Sequence, residues 1–178
     1  MNKTVNFIAR TAILLALAVL FQSLRLFIPI PAAVDQYVVG SLVNLCLVIA
    51  ALMVGIQGGL IVAIFTPVIA FLQNVLANPV MVPFVALGNA TIVIVVALLY
   101  KKNKYLSIIL GAVAKFLVLY ITVVRIAIPV LLGNMPPQMK ELMSLRFSWP
   151  QLVTALIGGW LAVIVGPLLE KALKPVSR

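Results

Sequence analysis

Six apolar stretches, each approaching the length needed to cross a bilayer, dominate this 178-residue chain and restrict what it can fold into. They run over about residues 7–28, 37–54, 60–76, 84–100, 105–132 and 151–173. A helix needs roughly 20 apolar residues to cross the hydrocarbon core, and the second and third stretches are short by that measure. None shows the period-2 alternation of a transmembrane strand. Composition closes off a soluble alternative: 65% of the residues are hydrophobic and 9% are charged. A soluble domain carries roughly 25% charged residues. A chain of this size could not bury so much apolar surface in water. The expected fold is an all-α integral membrane protein with six transmembrane helices, forming one domain over residues 1–178.

The breaks between stretches set the orientation. "PIP" ends the first, "GIQGG" reads as a turn after the second, and "ANPVMVP" and "KKNK" bound the fourth. The segment "GNMPPQMKELMSLRFSWP" reads as a polar loop before the sixth. With six spans, both termini share a side with "GIQGG" and "KKNK". That side holds Lys3, Arg10, Lys101, Lys102, Lys104, Lys171, Lys174 and Arg178, against Arg25, Lys140 and Arg146 on the other. The positive-inside rule then puts both termini in the cytoplasm. The net charge of +10 reflects this topology, and no basic stripe with interleaved aromatics points to nucleic acid. The first stretch is long for the apolar region of a signal peptide, and no clear A-x-A site follows it, so it is expected to remain as a span.

Absences narrow the function. The chain has no histidine, the usual metal ligand and general base. Its only acids, Asp35, Glu141 and Glu170, fall at span ends or in loops, so none is placed to relay protons or hold Na⁺ within the bilayer. There is no phosphate-binding G-x-x-x-x-G-K-[ST] run. Cys46 stands alone inside the second span, where it packs as a small apolar residue. No catalytic group, metal or cofactor is expected. If the chain moves a solute uphill, another subunit must supply the energy.

Two cations interrupt the fifth span. Lys115 falls roughly halfway across and Arg125 nears the outer surface, at 1.5 Å of rise per residue. Both can snorkel, although Lys115 is far from either interface. Lys115, Thr122 and Arg125 share a broad face at 100° per residue. Cations inside a membrane normally face a bundle interior or a wet cavity. With no acid nearby in sequence, the partner of Lys115 and Arg125 is expected to be an anionic ligand, a carboxylate or phosphate. Asn74 and Asn89, with Arg146 in the outer loop, join them as candidate ligand contacts. Each asparagine has an interhelical hydrogen bond as its alternative, and Arg146 has a solvated loop charge. Arg25, Gln36, Phe147 and Trp149 add to the outer polar group. In the first span, Ala12 and Ala16 lie four apart with Ala9 nearby, a small-residue face that admits another helix closely. That helix belongs either to this chain or to a partner.

The "AILLA" of the first span, "GSLVNLCLVIAALMVGIQGGLIVAIFTPVIAFL" over the second and third, the six spans and the length together resemble the substrate-binding S component of energy-coupling factor (ECF) transporters. The resemblance implies a vitamin-binding subunit of an ABC-type importer in a prokaryotic cell membrane. It works with a transmembrane T component and two cytoplasmic ATPases. It also implies that Ala12 and Ala16 meet the T component. The substrate would sit in the outer half, under the loops joining spans one to two, three to four and five to six. Lack of histidine and of buried acid favours an anionic vitamin such as pantothenate, folate or lipoate over a cationic one. The rival readings are an autonomous channel or facilitator, and a lipid-phosphate enzyme, which would need an acidic or histidine cluster this chain lacks.

Overall fold

The structure, a computed structural model, describes residues 2–28, 31–76 and 78–173. Lys174 and Arg178, Pro29 and Ile30 of the first break, and Ala77 lie outside the described residues. The described residues form helices and connections, with no strand among them. The helices are α1 (Lys3–Phe27), α2 (Ala32–Met53), α3 (Gly55–Leu72), α4 (Met81–Leu99), α5 (Lys104–Leu119), α6 (Pro137–Arg146) and α7 (Trp149–Leu173). A π-helical segment, Tyr120–Leu131, continues α5 without a break. Among the described residues, six helices are long and apolar enough to cross a membrane. The end of the bundle where α1 begins is called here the near end, and the opposite end the far end.

Local signals account for most boundaries. The Asn2 side chain accepts from the Thr4 N–H at 3.2 Å and starts α1. Asn103 does the same for α5, accepting from the N–H groups of Tyr105 and Leu106 at 3.0 Å each. Such caps satisfy amides that have no partner inside the helix. Along α1, Thr11, Leu14, Ala18 and Gln22 are buried, a single face at helical spacing that packs on α2 and α3. α2 sits centrally, against α1, α3, α4 and α7.

Two expectations are corrected. "GIQGG" is not a turn but the first turn of α3. The reversal is made at its first residue, Gly55, whose φ of +85° is a conformation that L side chains rarely adopt. Gly58 and Gly59 serve packing instead: a Cβ on Gly58 would collide with Val54, and one on Gly59 with Val93 of α4. The outer loop is likewise not wholly irregular, because Pro137–Arg146 forms α6. Pro137 stands at the helix start, where its missing N–H costs nothing.

The core divides by depth. A larger cluster joins Leu14, residues 46–51 of α2, Val62, Ile92, Val96, Ile108 and Ala162. A smaller one at the far end joins Met81, Leu119, Val123, Ile128 and Phe147. Between α2 and α7 the backbones nearly touch, since a Cβ on Gly158 would strike the carbonyl of Ser41 and the side chain of Asn44. Without a hydrophobic force between helices in lipid, this close approach is what holds them together.

Candidate functional site

The far half of the bundle opens around a cavity of about 490 Å³. Its walls come from the far ends of α1, α2, α3 and α4, and its roof from α6 and the start of α7. Much of the lining is apolar, including Val39, Val43 and Val85, and four of the chain's six methionines, Met81, Met135, Met139 and Met143. Methionine is flexible and polarisable, and suits a wall that must fit a guest.

Polar groups converge on this space at two levels. At the rim, Arg25 of α1 faces Asp35 of α2, Nε to Oδ1 at 3.5 Å, and neither atom has a hydrogen-bond partner among the described residues. Beside them a chain of side-chain bonds ties α1 to the end of α3. Gln22 Nε2 donates to Gln73 Oε1 at 2.9 Å, and Gln73 Nε2 donates to the Ser23 hydroxyl at 2.8 Å. The roof is pinned at its hinge: the carbonyl of Arg146 accepts from Gln36 at 2.6 Å and from Gln151 at 3.0 Å. Lys140 closes the roof's other end by donating to the Gly133 carbonyl at 2.6 Å.

The floor is a buried network. Lys115 of α5 donates to Asn44 Oδ1 of α2 at 2.7 Å and to Asn89 Oδ1 of α4 at 2.8 Å. The three side chains are at most 3% exposed. Asn89 also lines the cavity, whereas Lys115 stands behind it. The sequence offered no acid for Lys115, and the structure gives it two neutral amide oxygens instead of leaving it bare.

The candidate residues therefore separate. Asn89 and Arg146 line the cavity, and Lys115 touches it through Asn89. Arg125 is exposed and is not among the lining residues; its guanidinium lies 5.5 Å from the Tyr120 ring centroid. The shared face expected for Lys115 and Arg125 assumed 100° per residue. Past Leu119 the hydrogen bonds close five residues back, as Leu132 N–H to the Ala127 carbonyl does at 3.1 Å. Each residue then turns through a smaller angle, so Arg125 lags off the face of Lys115. Asn74 follows α3 at φ 57°, exposed and outside the lining. Ala12 and Ala16 are exposed on α1, with Ala9 half-buried, so this small-residue face is not packed within the chain.

From sequence, Arg25 and Gln36 stand out only as outer residues, and nothing marks Gln22, Asn44, Gln73 or the methionines. Arg25 and Asp35 did carry a signal: opposite charges flanking one short break between antiparallel spans must come close. A second cavity of about 730 Å³ opens at the near end beside Tyr100, Lys101, Lys102, Lys104 and Glu170. Its lysines are exposed, and Lys104 lies over the Tyr105 ring.

A family model described as the ECF transporter substrate-specific component matches residues 6–170. No curated protein and no solved structure matches the chain.

Proposed function

The chain belongs to the family of ECF transporter substrate-specific components, and from that premise we propose that it captures a small anionic micronutrient, such as a carboxylate vitamin, in its far-half cavity. The far end faces outward in this reading, with both termini cytoplasmic, in keeping with the Lys and Arg distribution. The membrane is a prokaryotic plasma membrane. The T component docks against Ala12 and Ala16, and two ATPases on the cytoplasmic side supply the energy.

One observation carries the reading: a closed-floored cavity of about 490 Å³, within the 300–1,000 Å³ typical of small-molecule sites, roofed by a short helix. The floor speaks against an autonomous channel, because Lys115, Asn44 and Asn89 and the packed cluster beneath them fill the path toward the near end. Anion preference follows from the charges. Lys115 below and Arg25 and Arg146 above outnumber Asp35.

The test is to purify the chain in detergent, denature it, and identify by mass spectrometry what small molecule is released. A stoichiometric organic acid is expected, together with no ATP hydrolysis by the chain alone. Accumulation of that acid in liposomes holding this chain and no ATPase would refute the subunit reading and favour a facilitator.

A further inference from the structure

We infer that the substrate's acidic group enters first and binds at the cavity floor, on the carboxamide N–H groups of Asn89, with the Lys115 ammonium supplying the counter-charge from behind that amide. This rests on the cavity being the substrate site.

The geometry of the floor forces the orientation of Asn89. An ammonium has three N–H donors and no acceptor, so a carboxamide that meets it must present its oxygen. Both asparagines do so, at 2.7 and 2.8 Å. Their amide nitrogens then fare differently. Nδ2 of Asn44 is used inside the protein, donating to the Gly40 carbonyl at 2.9 Å. Nδ2 of Asn89 has no partner among the described residues, although Asn89 is only 3% exposed and its open side is the cavity. It is a donor pair held in place from behind by Lys115, on a residue that borders the cavity. The side-chain nitrogen of Asn89 is not fully buried, so a guest acceptor in the cavity can reach it and needs to displace no protein partner.

Charge selects the kind of acceptor. The chain has three acids. Asp35 faces Arg25 at the rim, Glu141 is exposed on α6, and Glu170 lies at the near end. None neutralises Lys115. The two amide oxygens solvate the ammonium without cancelling its charge, and its pull on Asn89 Oδ1 polarises the amide so that the N–H groups become stronger donors. A neutral acceptor at the floor would satisfy Asn89 and leave the charge uncompensated; a carboxylate or phosphate oxygen does both. The rim is a poorer anion site. Arg25 already has Asp35 beside it, and Arg146 is exposed, where water screens it. Above the floor, Val43, Val85, Met81 and Met143 would enclose an apolar body. The substrate class is thus an organic acid with its charge at the buried end.

Lys115 acts here as a positioning residue, and the readout is preference for acid over neutral analogue. Isothermal titration of the full chain in detergent uses matched pairs: pantothenate with pantothenol, lipoate with lipoamide, biotin with its methyl ester. In the wild type, one acid should bind about tenfold or more tightly than its neutral partner. Lys115→Met should weaken the acid by about that factor, leave the neutral partner's affinity in place, and so bring the ratio near one. Lys140→Met, a charge change in the roof away from the cavity, should keep the ratio. Asn89→Asp puts the missing counter-charge inside the protein. It should hold or raise the thermal midpoint and abolish acid binding, and it decides the matter should Lys115→Met fail to fold. Undiminished acid binding by folded Asn89→Asp would overturn the inference. So would a preference that survives Lys115→Met and disappears in Arg146→Met, which would move the anion to the rim. A wild type that binds both members of a pair equally overturns the inference and leaves the binding reading standing. Binding of no probe, with no small molecule released on denaturation, removes both.

Discussion

Toward the near end the helices meet through alanine and glycine; toward the far end they part around methionine. Seven of the seventeen buried residues in the larger cluster are alanine, and at the level of the floor Gly158 and Gly159 sit where a Cβ would collide with α2 and α5. The far half instead holds a cavity of about 490 Å³, four methionines and an ion pair stretched to 3.5 Å. In lipid, association rests on close packing and interhelical hydrogen bonds, since the tails are as apolar as leucine. The near half therefore obtains its cohesion by bringing backbones together. The far half gives up that contact and keeps its polar groups for a guest. Lys115, Asn44 and Asn89 sit at the junction, where full satisfaction on one side leaves one amide edge open on the other.

The contrast is most exposed to a change of volume. Gly158→Leu should be the most damaging substitution considered, costing more than about 3 kcal/mol, because overpacking usually costs 1–3 and here the obstacle is backbone that cannot rotate away. Met143→Leu in the cavity wall should cost less than about 1.5 kcal/mol, the usual limit for a volume-conserving swap. Thermal midpoints in detergent, with size-exclusion profiles, compare the two. Equal losses would mean that the cavity wall is packed as rigidly as the α2–α7 contact at the floor.

The near half also has an outward face. Ala12 and Ala16 are exposed, so a tryptophan there meets nothing in this chain. Ala12→Trp and Ala16→Trp should leave the thermal midpoint and the affinity for the co-purified small molecule within about twofold of wild type, while T-component co-purification is lost, since a large side chain blocks close helix approach. Normal assembly by both variants would show a face that only meets lipid.

How far the sequence reveals all this differs between the halves. Spans, order and the small-residue face follow from apolar run length and residue size, which depend on local composition. Composition does not separate the two roles within "GIQGG", because glycine marks both turns and close packing: Gly55 makes the reversal, and only the neighbours Val54 and Val93 identify Gly58 and Gly59 as packing positions. Lys115 and Asn89 were recognisable as polar residues out of place. Their link through Asn44 was not, since residues 44, 89 and 115 are joined only by the tertiary arrangement of α2, α4 and α5. Arg125 was misdirected by a change of helix type that no residue but Pro129 hints at.

A smaller effect is expected at the rim. Asp35→Asn leaves Arg25 without its counter-charge, but the pair is long and its side chains are 24% and 17% exposed. Destabilisation of about 1–2 kcal/mol is expected, between the 0–1 of surface pairs and the 3–5 of broken buried ones. A drop as large as that of Gly158→Leu would make the rim a structural clamp.

The least effect is expected at Arg125, and that makes it a sensitive check on where the far half ends. It lies on the π-helical segment, exposed, with its guanidinium over Tyr120 and away from the cavity lining. An exposed cation–π contact is worth only about 0.5–1 kcal/mol, and losing it removes nothing from Asn89 or Lys115. Arg125→Ala should therefore change affinity for the co-purified small molecule by less than about twofold, as measured by titration calorimetry. The five-residue hydrogen bonding is what turns Arg125 aside. Restoring α-helical winding by Pro129→Ala supplies the missing N–H and should rotate Arg125 back toward the face of Lys115. In that background Arg125→Ala should gain an effect it lacks in the wild type. If Arg125→Ala alone already weakens binding by tens-fold, the guest reaches past the lining residues to the π-helical segment, and the functional half of the bundle is larger than its cavity.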